Sequence, residues 1–106
     1  MSNINQSTML YVTSHIPVPE RLCCLAEEAS ELAQAALKLR RVYDGTSPTP
    51  IREEDAIENL REEIADVWLS VYALGLAEEP FVSMYQEKMA KKAERWAERI
   101  ANRKVR

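Results

Sequence analysis

The chain predicts an all-α fold, an antiparallel helical hairpin followed by a third helix. Three observations carry that prediction. Apolar residues recur at three- and four-residue intervals over three long segments, the period of a helix that buries one face. Only two glycines interrupt the 106 residues, which disfavours a turn-rich β fold. Proline and small polar residues collect in short runs between the periodic segments.

Residues 1–16 form an N-terminal arm ahead of a single domain over 17–106. The arm is polar and mixed, with an apolar patch at Met9-Leu10-Tyr11-Val12. It reads as a frayed arm, a strand-like segment or a short packing helix. The sole histidine, His15, falls here, outside the three predicted helices, and reads as a surface residue. Pro17 and Pro19 then break the chain. Pro19 suits the first position of a helix, and Glu20 suits the first turn, near the positive end of the helix dipole.

The first long helix is predicted from about Pro19 to Tyr43. Its stripe is Leu22, Leu25, Ala29, Leu32, Ala36, Leu39 and Tyr43, and its alanines permit close approach of a second helix. Asp44-Gly45-Thr46-Ser47-Pro48-Thr49-Pro50 is a turn by composition. The second helix is predicted to start near Thr49, as N-cap before Pro50, with Glu53, Glu54 and Asp55 in its first turn. Its stripe is Ile57, Leu60, Ile64, Val67, Val71 and Leu74, and it ends near Gly75. The third runs from about Glu79-Pro80 to Asn102, on Val82, Tyr85, Met89, Ala93, Trp96 and Ile100. A basic tail, Arg103 to Arg106, is expected to fray.

Composition narrows the function classes. The chain is 46% hydrophobic and 29% charged, which predicts folding rather than disorder. A helical chain of this length often completes its core by self-association. Cys23 and Cys24 are adjacent, so they supply neither a disulfide framework nor a zinc site. There is no signal peptide, no membrane-spanning run, no Walker loop and no dinucleotide-binding glycine motif. The expectation is a cytoplasmic protein that engages neither membrane nor nucleic acid.

The acids are patterned. Glu27-Glu28-Ala29-Ser30-Glu31-Leu32 is echoed by Glu62-Glu63-Ile64-Ala65-Asp66-Val67, 35 positions on, and the apolar stripes superpose under the same shift. Acids three apart sit on adjacent turns of one helix face. A short connection makes the two helices antiparallel neighbours. The turn centres between Ser47 and Pro48, so Glu28 should lie level with Asp66, and Glu31 with Glu63. Glu28 and Glu63 border the apolar stripes, with Glu31 and Asp66 about 60° further out. Glu27 and Glu62 lie further round toward solvent. Four level carboxylates repel unless a cation joins them, and an oxygen-only set suits Mg²⁺ or Mn²⁺. The competing reading is a solvated acidic face neutralised by Lys38, Arg40 or Arg61.

On the third helix Lys88, Lys92, Arg95 and Arg99 form a basic row beside the apolar stripe. Such a row suits a polyphosphate whose other oxygens meet the cation. The alternative is ordinary surface charge paired with Glu87, Glu94 and Glu98. A di-iron carboxylate site fares worse, since it wants Glu-x-x-His from helices and the lone His15 lies outside the three predicted helices. Cys24 reads as a small packing residue, and Trp68 and Trp96 as core or subunit-interface residues.

These motifs resemble those of the MazG-type all-α nucleoside triphosphate pyrophosphohydrolases. The resemblance rests on Glu28-x-x-Glu31, Glu63-x-x-Asp66 and the later run Lys88 to Trp96, and spans roughly residues 19 to 100. It implies Mg²⁺ (or Mn²⁺) held by Glu28, Glu31, Glu63 and Asp66, and hydrolysis between the α and β phosphates. It also implies a homodimer or homotetramer with its sites in four-helix bundles shared between subunits. Glu27 or Glu62 would then orient or deprotonate the attacking water. Lys88 and Arg95 would bind phosphate, and Lys92 and Arg99 after them. Two other functions share parts of the pattern: a phosphoribosyl-ATP pyrophosphatase or dUTPase-like enzyme, and a non-catalytic helical interaction module.

Overall fold

The computed structural model describes residues 3–105 and contains four helices and, among those residues, no strand. The first, α1, spans Gln6–His15 and resolves the ambiguous arm as a helix. Asn5 caps it, its side-chain oxygen accepting from the Thr8 N–H at 3.1 Å. It stops at Ile16, which is extended because Pro17 follows. His15 is therefore the last residue of a helix rather than part of a loop. It is exposed, and its ring stacks on Tyr11 at 4.0 Å.

Helix α2 spans Val18–Asp44 and ends at Gly45, whose φ of 74° is the left-handed conformation that glycine adopts without strain. Asp44 accepts from the backbone N–H and hydroxyl of Thr46, and these bonds hold its carboxyl below the usual range. Helix α3 spans Glu53–Ala73. Its N-cap is Arg52, not Thr49. Thr49 precedes a proline and uses its carbonyl to accept from the Ser47 hydroxyl at 2.6 Å, and the segment through Ile51 stays outside the helix. Glu53, Glu54 and Asp55 do occupy the first turn.

Residues up to Gly75 form one compact unit and those from Leu76 a second. The second is helix α4, Phe81–Val105, with its lead-in. The Glu79 carboxylate caps α4 by accepting from the Ser83 N–H at 2.7 Å, and the Tyr85 hydroxyl donates to the Leu76 carbonyl at 2.6 Å. The helix runs through the basic tail that was expected to fray, as far as Val105; Arg106 lies outside the described residues. No helix is long and apolar enough to cross a membrane among the described residues.

In the first unit α2 packs along α3, and α1 rests on α3. The seam between α2 and α3 differs from the predicted stripe in a regular way. On α2 the buried and half-buried line is Arg21, Leu25, Glu28, Leu32, Ala35, Leu39 and Val42. Every second member has moved back by one residue relative to the apolar reading. On α3 the line likewise runs through Ala56, Leu60, Glu63, Val67, Ser70 and Leu74. Ala35, 2% exposed, and Ala56, 5%, are the best buried residues of the unit. Glu28 and Glu63 lie one heptad from them, on the seam itself rather than on its rim.

Rotating the seam leaves much of the displaced line in solvent. Leu22, Tyr43 and Ile64 are each half exposed or more, as is Trp68 one turn from Ile64, and Ala29 and Ala36 are exposed with them, while Ile57 and Val71 stay half-buried. Trp68 and Trp96 are thus not core residues of this chain. The angular step per residue puts this line on the side of the hairpin away from α1.

Candidate metal centre

The seam positions of Glu28 and Glu63 bring three carboxylates together. One oxygen each of Glu28, Glu31 and Glu63 falls within 4.8 Å of the others. Glu31 is exposed, while Glu28 and Glu63 are half-buried. Asp66 is outside this closest group but near enough for its charge to act on both Glu28 and Glu63. The predicted levels were Glu28 with Asp66 and Glu31 with Glu63; the structure makes Glu63 common to both of the α2 acids. Glu27 and Glu62 are exposed and outside the group, Glu62 contributing only its charge to Glu63.

The electrostatics follow from burial and crowding. The Glu28 carboxyl is pushed above the usual range by desolvation, then by the charges of Glu31 and Asp66. Glu63 is raised by the same causes in the same order. Glu28 Oε2 and Glu63 Oε2 are buried and accept no hydrogen bond. Nothing basic offsets them. Arg40 pairs with Asp44 at 3.9 Å and Arg61 with Glu58 at 3.7 Å. No described lysine or arginine, Lys38 included, makes an ion pair with the four acids. Ion pairing therefore does not neutralise this cluster among the described residues, although Glu31 and Asp66 are exposed to solvent.

The donor set fits a hard divalent cation. All its atoms are carboxylate oxygens, two of them are orphaned, and their spacing brings three within reach of one ion. Mg²⁺ and Mn²⁺ share this preference for oxygen.

Beside the cluster lies a cavity of about 370 Å³ that the sequence did not disclose. Glu28 and Asp66 stand in its wall with Cys24, Leu69, Ser70 and Ala73. Ile4, Met9, Val12 and Ile16 of the α1 segment line the other side. Its walls are largely apolar. Arg21 also lines it, and this residue escaped the sequence reading. A signal was present: an arginine in the first turns of a helix sits against the dipole, so its partner must lie elsewhere.

The basic row is exposed on α4, in the other compact unit. Lys88, Lys92 and Arg95 line one groove with Met84, Glu87 and Lys91. Lys92, Arg95 and Arg99 line a second with Trp96, Glu98 and Asn102. Among the described residues the one ion pair on α4 is Lys91 to Glu87 at 4.0 Å. The four cations of the row are therefore not committed to neighbouring acids.

No protein-family model, curated protein or solved structure matches this chain.

Proposed function

We propose that the chain is a divalent-cation-dependent nucleoside triphosphate pyrophosphohydrolase of the MazG type, cleaving between the α and β phosphates and serving nucleotide-pool house-cleaning. The observation that carries the reading is the Glu28–Glu31–Glu63 group, unpaired with any base and holding two orphaned buried oxygens. Glu28, Glu31, Glu63 and Asp66 would hold Mg²⁺ or Mn²⁺. When bound, that ion supplies charge stabilisation for the phosphoryl oxygens and lowers the pKa of water. Glu27 or Glu62, solvent-facing neighbours of the ligands, would orient or deprotonate the attacking water. Lys88 and Arg95, with Lys92 and Arg99, would hold the triphosphate, as uncommitted cations suit.

The reading includes self-association. A helical chain of this length often completes its core by self-association. Its half-exposed line of Leu22, Tyr43, Ile64 and Trp68 has the composition of a helix–helix seam. Two hairpins joined along that line would make a four-helix bundle, but with the carboxylates facing away from the joint, which differs from the shared-bundle site that the resemblance implies.

The test is pyrophosphate release from a panel of nucleoside triphosphates, with Mg²⁺ and with chelator. Activity with Mg²⁺ that chelator and Glu63→Ala both remove supports the reading. Wild type and Glu63→Ala behaving alike would sink it. Cleavage of phosphoribosyl-ATP alone would favour the phosphoribosyl-ATP pyrophosphatase reading instead.

A further inference from the structure

Arg21 lies on the buried seam line, yet no carboxylate meets it. Its Nε donates to the Ile16 carbonyl and its Nη1 to the Ala73 carbonyl, both at 2.8 Å. Ile16 is the residue on which α1 ends, and Ala73 is the last residue of α3. Both carbonyls belong to helix termini, where acceptors lack intrahelical partners and a cation is favoured. One planar guanidinium thus ties the end of α1, the start of α2 and the end of α3 together. An ammonium could not span both acceptors with the same fork geometry.

Little else holds α1. Its residues Met9, Val12 and Thr13 are only half-buried, as is Ile16 just after it, and none of its ten residues is fully buried. No described side chain of α1 hydrogen-bonds to α2 or α3. A short helix is marginal on its own. Yet this helix roofs the cavity whose far wall includes Glu28 and Asp66. We propose that Arg21 is a positioning residue: it latches α1 over the apolar cavity and so sets how tightly the uncharged end of the ligand is held beside the metal centre. This rests on the pyrophosphohydrolase reading for the identity of the ligand, but not for the latch itself. If only the latched state binds productively, apparent affinity falls by the fraction of molecules latched.

The experiment compares wild type with Arg21→Met, which keeps the aliphatic stem and removes the donors, and with Arg21→Lys. Three quantities are read on the full chain: amide hydrogen exchange across residues 6–16, Mn²⁺ affinity without nucleotide, and KM and kcat for the best triphosphate. Arg21→Met is expected to speed α1 exchange and to raise KM by roughly tenfold, with kcat changed less than twofold and Mn²⁺ affinity unchanged. Arg21→Lys falls between, and it serves for all three readouts if Arg21→Met does not fold. Wild-type exchange in α1 of the variants overturns the latch. Faster exchange with unchanged KM overturns the role of the roofed cavity in ligand binding. If no triphosphate is cleaved by wild type, the function reading fails while the exchange data still decide the latch.

Discussion

The two sides of the α2–α3 hairpin are built from the same pair of helices and differ in almost every property. The side toward α1 carries carboxylates, a roofed cavity and Arg21. The side away from α1 carries an open line of aliphatic and aromatic residues with no acid among Leu22, Ala29, Ala36, Tyr43, Ile64 and Trp68. The boundary between them is the seam, where Glu28 and Glu63 share a heptad position with Ala35 and Ala56. Small alanines let the helices approach, and the same approach forces two carboxylates together. On the proposed reading the contrast would separate two tasks, charge for chemistry on one side and apolar surface for association on the other.

Changes on the two sides should therefore fail differently. The largest effect is expected from Glu63→Gln. Losing the ligand shared by both α2 acids should lower pyrophosphate release by about a hundredfold or more, with the sedimentation profile unchanged. Next comes Trp68→Glu on the open side. A charge in the centre of an apolar contact should weaken association by on the order of thirtyfold, read as a shift toward monomer on dilution. Mn²⁺ affinity measured on that monomer should stay close to wild type if the two sides are independent. A large loss of Mn²⁺ binding there would break the division of labour.

A smaller effect is expected on α4. Arg95→Ala should raise KM for the triphosphate roughly tenfold and flatten its dependence on salt, because one exposed phosphate contact is removed. No change in either quantity would return the basic row to ordinary surface charge.

The smallest effect concerns the pH dependence of the metal-free protein. The carboxyls of Glu28 and Glu63 lie above their ordinary value of 4.5. A carboxyl raised on folding stabilises the fold fully below its unfolded value and loses that contribution as pH rises through the folded one. The metal-free protein should then melt higher at pH 5 than at pH 7, and Glu63→Gln should shrink the difference. Asp44 is shifted the other way, and its contribution is lost only below the ordinary 3.8, outside this window. Mg²⁺ should raise the melting temperature more at pH 7 than at pH 5, because it needs the carboxylates ionised. A melting temperature that rises steadily from pH 5 to pH 7 without metal would contradict the crowding of the acids.

Much of the hairpin was legible in the sequence. The periodicity located three long helices, and Gly45 and Gly75 marked two of their ends, each at positive φ. The spacing Glu28-x-x-Glu31 and Glu63-x-x-Asp66, with the turn between, pointed to one acidic group. Other features were illegible for physical reasons. The α1 segment has a weak apolar face, so its helix is set by the Asn5 cap, the Pro17 stop and the surface it covers. Thr49 looked like a cap because cap residues are also turn residues.

What the sequence determined by itself is local: helix extents, the turn, and acids three apart on facing helices. What only the tertiary structure decided is rotation. Leu25, Leu32 and Leu39 serve equally in a stripe completed by Ala29 and Ala36 or by Glu28 and Ala35, because the two lines differ by one residue, about 100° of helix. Alanine is too small to weight the apolar pattern either way. Contact with α3 settles the choice, and that rotation turns two rim glutamates into the crowded centre and leaves the other line open.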